Sequence, residues 1–236
     1  MALLRSLFGD GAAILVGDLA LSWADEMLLT SGLTNEQLAR AKAVYDVMRT
    51  ELMCGQYLDL LEQARGDITH ERAETVIRFK SAKYTIERPL HLGAAIAGAT
   101  PELNQTLSQY GLALGEAFQL RDDLLGVFGD SSVTGKPAGD DLREGKQTML
   151  IAFANLNANA ADKKFLVDNL GDSSLTSETI SRLQNVLVDC GAQNFVENRI
   201  TEYLDKSVSS LDALADHPEA KTALTELAIL ATNRSA

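Results

Sequence analysis

Apolar positions along the chain recur three and four residues apart, the period of an amphipathic helix, and no convincing run alternates as a strand requires. The pattern predicts helices over residues 11–29, 35–64, 69–85, 89–99, 101–128, 147–156, 162–169, 176–190, 192–215 and 218–231. Local signals support these limits. Ser31-Gly32 ends the first helix, and Thr34 with Gln37 makes a capping box for the second. Pro101 opens the long central helix, while Gly171 and Gly191 separate later ones. Residues 11–29 are apolar or small almost throughout, so they read as a buried helix packed closely on its neighbours. Asp18 within them is an isolated acid that needs a partner or a nearby site. The chain is therefore all-α, and its 236 residues suffice for one sizeable core in a single domain, 1–236.

Composition narrows the class. An apolar content of 46% argues against disorder, and few aromatics with only four prolines suit helices. A formal charge of −12 argues against a nucleic-acid partner. Any anionic substrate then needs local lysines or a metal ion to overcome the background field. No run of 18 uncharged apolar residues exists to make a transmembrane segment, and Asp10 and Asp18 interrupt any signal-peptide core. Cys54 and Cys190 lack CxxC spacing and a His partner, so they read as reduced, partly buried thiols of a cytoplasmic protein. His70 and His91 have no ligand partner three or four residues away and read as structural or surface groups.

The chemistry concentrates in Phe118-Gln119-Leu120-Arg121-Asp122-Asp123-Leu124-Leu125-Gly126 and in the loop that follows, with Lys136 near its start and Lys146 at its end. In a helix Gln119 and Asp123 share one face, as do Asp122 and Gly126. Asp122 and Asp123 diverge by about 100°. Two adjacent carboxylates among leucines are unfavourable unless a cation compensates them. Hard oxygen ligands in an incomplete shell suit Mg²⁺, which keeps waters and shares phosphates. A bare Asp-Asp pair is more often a solvated helix face; the lysine loop at close range turns the reading toward a phosphate site. Upstream, Gly55 interrupts a long helix at a cost of about 1 kcal/mol relative to Ala. A ligand or a neighbouring helix close to residue 55 explains it equally well. Lys80 and Ser81 put an ammonium beside a hydroxyl, and Lys83 completes a cluster that also complements a helix C-terminus.

These motifs closely resemble the second aspartate-rich region of trans-polyprenyl diphosphate synthases. Gly17-Asp18, Gly55-Gln56-Tyr57-Leu58-Asp59, Lys80-Ser81 and Gly135-Lys136-Pro137 fall in that family's order and spacing, and Lys83-Tyr84-Thr85-Ile86-Glu87-Arg88-Pro89-Leu90 is similar to actinobacterial geranylgeranyl diphosphate synthases. The resemblance implies a type I isoprenoid synthase helical bundle around a deep apolar cavity. It implies Mg²⁺-assisted ionisation of an allylic diphosphate and attack by isopentenyl diphosphate, giving a short-chain product such as geranylgeranyl diphosphate. By position, Asp122 and Asp123 would hold metal, and Gln119 would support that end of the site. Lys80, Lys136 and Lys146 would contact diphosphate, Ser81 would place an oxygen near the cation, and Gln56 and Asp59 would line the pocket.

Two departures accompany the resemblance. Gly126 stands at the third acidic position of the second motif. The first aspartate-rich motif is absent from these residues and is expected upstream of Met1, on N-terminal helices that this chain lacks. A homodimer, or a heterodimer with a full-length synthase, is the expected assembly. The alternatives to an active prenyltransferase are a non-catalytic partner subunit or inactive fragment and, more weakly, a terpene cyclase.

Overall fold

The computed structural model describes residues 2–129 and 139–233, and every regular element among them is helical. In order these are α1 (Ala2–Leu29), α2 (Asn35–Arg65), α3 (His70–Val76), a π-helical segment (Ile77–Glu87), α4 (Arg88–Ala97) and α5 (Pro101–Phe128). Then come α6 (Asp140–Glu144), α7 (Met149–Asn157), α8 (Ala160–Asn169), α9 (Ser177–Asp189) and α10 (Ala192–Ser210). A 3₁₀ turn, Leu211–Leu214, leads to α11 (Pro218–Thr232).

The caps act where the sequence places them. Thr34 accepts from the Gln37 amide while Gln37 accepts from the Thr34 amide, so two orphan donors of α2 are satisfied. Thr69, Thr100 and Thr176 cap α3, α5 and α9 in the same way from their side chains. Gly66 and Gly98 end α2 and α4 in the left-handed conformation.

Helix α5 is the axis of the bundle, packed between the π segment and α10. Leu120, Leu124 and Val127 on α5 meet Leu150, Leu183, Leu187 and Val196 in the main core. Each such side chain contributes about 1.5–3 kcal/mol on burial, so packing rather than propensity holds α5 in place. A second cluster joins Tyr110 and Leu114 of α5 to Leu211, Leu214 and Ala228. Tyr110 Oη donates to the Leu224 carbonyl at 2.8 Å, and Arg121 pairs with Glu197 at 2.7 Å while donating to the Thr232 carbonyl. The bonds to the Leu224 and Thr232 carbonyls fix α11 to α5, and Glu197 ties in α10.

The predicted helices over 69–85 and 89–99 form one continuous rod. Pro89 does not break it: it stands where the π segment passes into α4. Helix α2 crosses the rod where Gly55 meets Lys80: a Cβ at residue 55 would collide with the backbone of Phe79 and Lys80. Close helix packing therefore explains this glycine.

Several expectations are corrected. The first helix starts at Ala2 rather than residue 11 and is not buried: Phe8 is 78% exposed, Met27 74%, and Ile14, Leu15, Val16 and Trp23 are also exposed. An apolar pattern reports surface that favours burial, but it does not supply a neighbour, and among the described residues α1 packs to any extent only on α2, with Arg49 pairing to Asp25 at 2.8 Å. Asp18 is exposed. Cys54 is exposed rather than partly buried, whereas Cys190 is half-buried. His91 is structural: its ring lies 3.0 Å from Ser108 Oγ and 3.1 Å from the Arg88 guanidinium. His70 stacks on Phe153 and Phe195.

Candidate active site

Four stretches distant in sequence meet at one cleft. Asp59 comes from α2, Lys80 and Ser81 from the π segment, Gln119 and Asp123 from α5, and Lys146, Gln147 and Thr148 from the strap between α6 and α7. Ile77 and Met149 form its apolar wall. The π segment brings Lys80 and Ser81 to the same cleft, and such helices often mark functional sites.

Two carboxylate–ammonium pairs line the cleft. Lys80 Nζ donates to Asp59 Oδ2 at 2.6 Å, and Gln63 donates to the same oxygen at 3.3 Å. Lys146 Nζ donates to Asp123 Oδ1 at 2.8 Å and to Asp141 Oδ2 at 3.2 Å. Gln119 Nε2 donates to Asp123 Oδ1 at 2.8 Å, so the face shared by these two residues is realised as a bond. Asp123 is only 3% exposed. Burial disfavours the Lys146 charge, but Asp123 and Asp141 more than offset it and raise its pKa above the ordinary lysine value. Lys146 thus stays an ammonium at neutral pH, suited to holding an anion and not to removing a proton. Burial pushes Asp141 up as well, aided by the neighbouring charges of Asp123 and Asp122, with Lys146 opposing.

The other candidate residues lie as follows. Asp122 is half-buried, is not part of the cleft lining and has no ion-pair partner among the described residues. Gln56 is exposed and does not line the cleft beside its neighbour Asp59. Lys136, with Gly135 and Pro137, lies outside the described residues.

Three residues at the site were given no role by the sequence reading. Asp141 fills the space beside Gly126: a Cβ there would overlap its carboxylate. The missing third acid of the aspartate-rich stretch thus has a counterpart from α6. The one signal in sequence was a glycine where an acid was expected. Gln147 and Thr148 also line the cleft, and the only hint was a threonine preceding an apolar run.

Carboxylate oxygens are the kind of ligand Mg²⁺ takes. Asp122, Asp123 and Asp141 offer hard oxygens, yet among the described residues no three His, Cys, Asp or Glu side chains converge to cage a metal. Such a partial shell suits an ion that retains waters and shares phosphate oxygens.

An all-α bundle with carboxylates and lysines converging on a cleft between its helices defines the isoprenoid synthase fold class, and the structural comparisons bear this out. A crystal structure of geranylgeranyl pyrophosphate synthase from Corynebacterium glutamicum, complexed with isoprenyl diphosphate and magnesium, superposes with a TM-score of 0.93 at 44% identity, covering 96% of this chain and 64% of that one. The polyprenyl synthetase family matches residues 2–187, and the chain belongs to that family. It is 34% identical over 204 residues to the geranylfarnesyl diphosphate synthase of Aeropyrum pernix, covering 85% of this chain and 63% of that protein. It is 34% identical over 225 residues to the geranylgeranyl diphosphate synthase of Methanosarcina mazei, covering 94% of this chain and 66% of that one. The chain thus spans 63% to 66% of the length of these two relatives. No described helix is long and apolar enough to cross a membrane.

Proposed function

We propose that this chain carries the diphosphate-binding side of a prenyltransferase site, condensing isopentenyl diphosphate with an allylic diphosphate to give a short-chain polyprenyl diphosphate such as geranylgeranyl diphosphate. The observation that carries this reading is the pairing of Asp59 with Lys80 and of Asp123 with Lys146 along one cleft that also holds Ser81 and Gln119. The family membership and the magnesium and isoprenyl diphosphate of the Corynebacterium glutamicum complex support it.

Mg²⁺, held by Asp122 and Asp123, would neutralise charge developing on the departing diphosphate. Lys80 and Lys146 bind and orient that diphosphate as fixed positive charges, with Lys136 as a third contact. In the ligand-free chain the carboxylates of Asp59, Asp123 and Asp141 keep both cleft ammoniums in place, so little reorganisation is needed when an anion enters. The allylic carbon–oxygen bond breaks, its electron pair leaves with the diphosphate, and the double bond of isopentenyl diphosphate attacks the cation. The Ser81 hydroxyl supplies an oxygen dipole on the cation's side, and Gln119 steadies Asp123 at the metal end. Ile77 and Met149 keep water from that face. The attack leaves a cation on the isopentenyl unit, and the product double bond forms as that unit gives a proton to the departed diphosphate.

A radiolabel assay tests this. Purified chain receives Mg²⁺, labelled isopentenyl diphosphate and each allylic diphosphate in turn. Labelled longer products that vanish with Asp122→Ala are expected. A folded chain that makes no product overturns the activity.

A second reading, a subunit that pairs with a full-length synthase of the same family, is favoured by the bare apolar residues of α1. A one-to-one complex on co-expression, with altered product length, supports it. A dimer of this chain alone, or a monomer, argues against it. The unpaired Cys54 and Cys190 support a cytoplasmic setting.

A further inference from the structure

Among the helix-capping threonines, Thr148 behaves differently from the rest. Thr34, Thr69, Thr100 and Thr176 each accept a backbone amide of the helix they precede. Thr148 occupies the same position before α7, with extended backbone, yet its side chain makes no capping bond. Its hydroxyl is not spent elsewhere: Thr148 Oγ1 is buried without a hydrogen-bond partner, in a residue only 4% exposed. A buried, unsatisfied hydroxyl destabilises the fold unless something completes it. Thr148 and Met149 both line the cleft that holds Lys80 and Lys146, so the N-terminal end of α7 lies at that cleft.

The surroundings select the chemistry of the missing partner. The N-terminus of α7 carries partial positive charge, and its first-turn amides have no side-chain cap. The two ammoniums at the same cleft add donors for an anion, their charge being offset in the unliganded chain by Asp59, Asp123 and Asp141. A hydroxyl donor, uncapped amides and two lysines together suit an oxyanion with several acceptor oxygens. Gln147 is next to Thr148, and its Oε1 is also buried and unpartnered. That oxygen accepts only, so it suits a water beside the anion and not the anion itself.

We propose that Thr148 is a substrate-contacting residue whose hydroxyl donates to a diphosphate oxygen, forming with the N-terminus of α7 a diphosphate subsite. This rests on the prenyltransferase reading of the cleft. The subsite binds the diphosphate of the allylic substrate before cleavage and the released inorganic diphosphate afterwards. Its hydrogen bond strengthens as charge accumulates on the leaving group, so it assists departure as well as binding.

The test is calorimetric titration of the full chain with inorganic diphosphate and Mg²⁺, alongside thermal unfolding. Thr148→Val keeps the shape and branching and removes the hydroxyl; Thr148→Ser keeps the hydroxyl. We expect Thr148→Val to weaken diphosphate binding about tenfold and Thr148→Ser to stay within about threefold of the parent. We expect the Tm of Thr148→Val to equal or exceed the parent's, because an unsatisfied buried group has been removed. Parental affinity in Thr148→Val overturns the inference, and so does a marked loss of Tm, which would reveal a structural partner for the hydroxyl. Lys146→Ala separates the two levels. Affinity lost in Lys146→Ala but kept in Thr148→Val overturns the Thr148 subsite alone. No diphosphate binding by the parent, or unchanged binding in Lys146→Ala, overturns the cleft's assignment as well.

Discussion

Gly126 and Asp141 share one volume. The Asp141 carboxylate stands where a side chain on residue 126 would begin, and Lys146 holds that carboxylate at 3.2 Å. Gly126→Ala must therefore push Asp141 off Lys146. Because the obstacle is the end of a side chain and Ala favours the helix by about 1 kcal/mol, the net change in urea unfolding is expected to stay within about 1 kcal/mol, with diphosphate affinity reporting the displaced carboxylate. Adding Asp141→Ala should relieve most of the crowding, so the double variant should fall well short of the sum of the singles. Strict additivity would refute the shared volume.

At residue 55 helix propensity and packing predict opposite signs. Propensity alone favours Gly55→Ala by about 1 kcal/mol. The backbone of Phe79 and Lys80 leaves no room for the methyl group. We expect net destabilisation of about 1–3 kcal/mol and a loosened Asp59–Lys80 pair, followed by chemical denaturation and diphosphate affinity. A gain in stability would mean that α2 and the π segment separate easily.

Asp122→Ala should abolish any Mg²⁺-dependent turnover while leaving the melting temperature within about 2 °C, since the residue is half-buried and pairs with no described cation. Steady-state assay and thermal scan together check this. Unchanged turnover would remove Asp122 from the metal site.

Glu51 supplies a pH signature remote from the cleft. It accepts from Arg88 at 2.7 and 2.8 Å and lies 3.0 Å from Lys83 Nζ. Burial opposes its charge, but Arg88 and Lys83 prevail and lower its pKa below the ordinary glutamate value. A lowered carboxylate pKa contributes stability above the unfolded value, lost as pH falls through the folded one. Thermal scans should show Glu51→Gln less stable than the parent at pH 7, with the gap closing below about pH 4. A gap independent of pH would show that packing, not charge, holds the cluster.

Much of the fold was legible in local chemistry. The α2 capping box, the start of α5 at Pro101 and the pairing of Gln119 with Asp123 follow from residues at most four positions apart, where backbone geometry leaves few choices. The family signature was legible for the same reason, because the aspartate-rich stretch and Lys146 lie close together in the chain. Several other features were decided only by tertiary structure. Whether the apolar α1 finds a partner depends on which surfaces surround it, and the sequence pattern states only that it favours one. Gly55 admits a ligand or a helix equally until Lys80 is seen against it. Asp141 takes the place of an acid at residue 126, and Thr148 lines the cleft without capping α7. These outcomes depend on distances between segments far apart in sequence, which packing sets and local propensity does not.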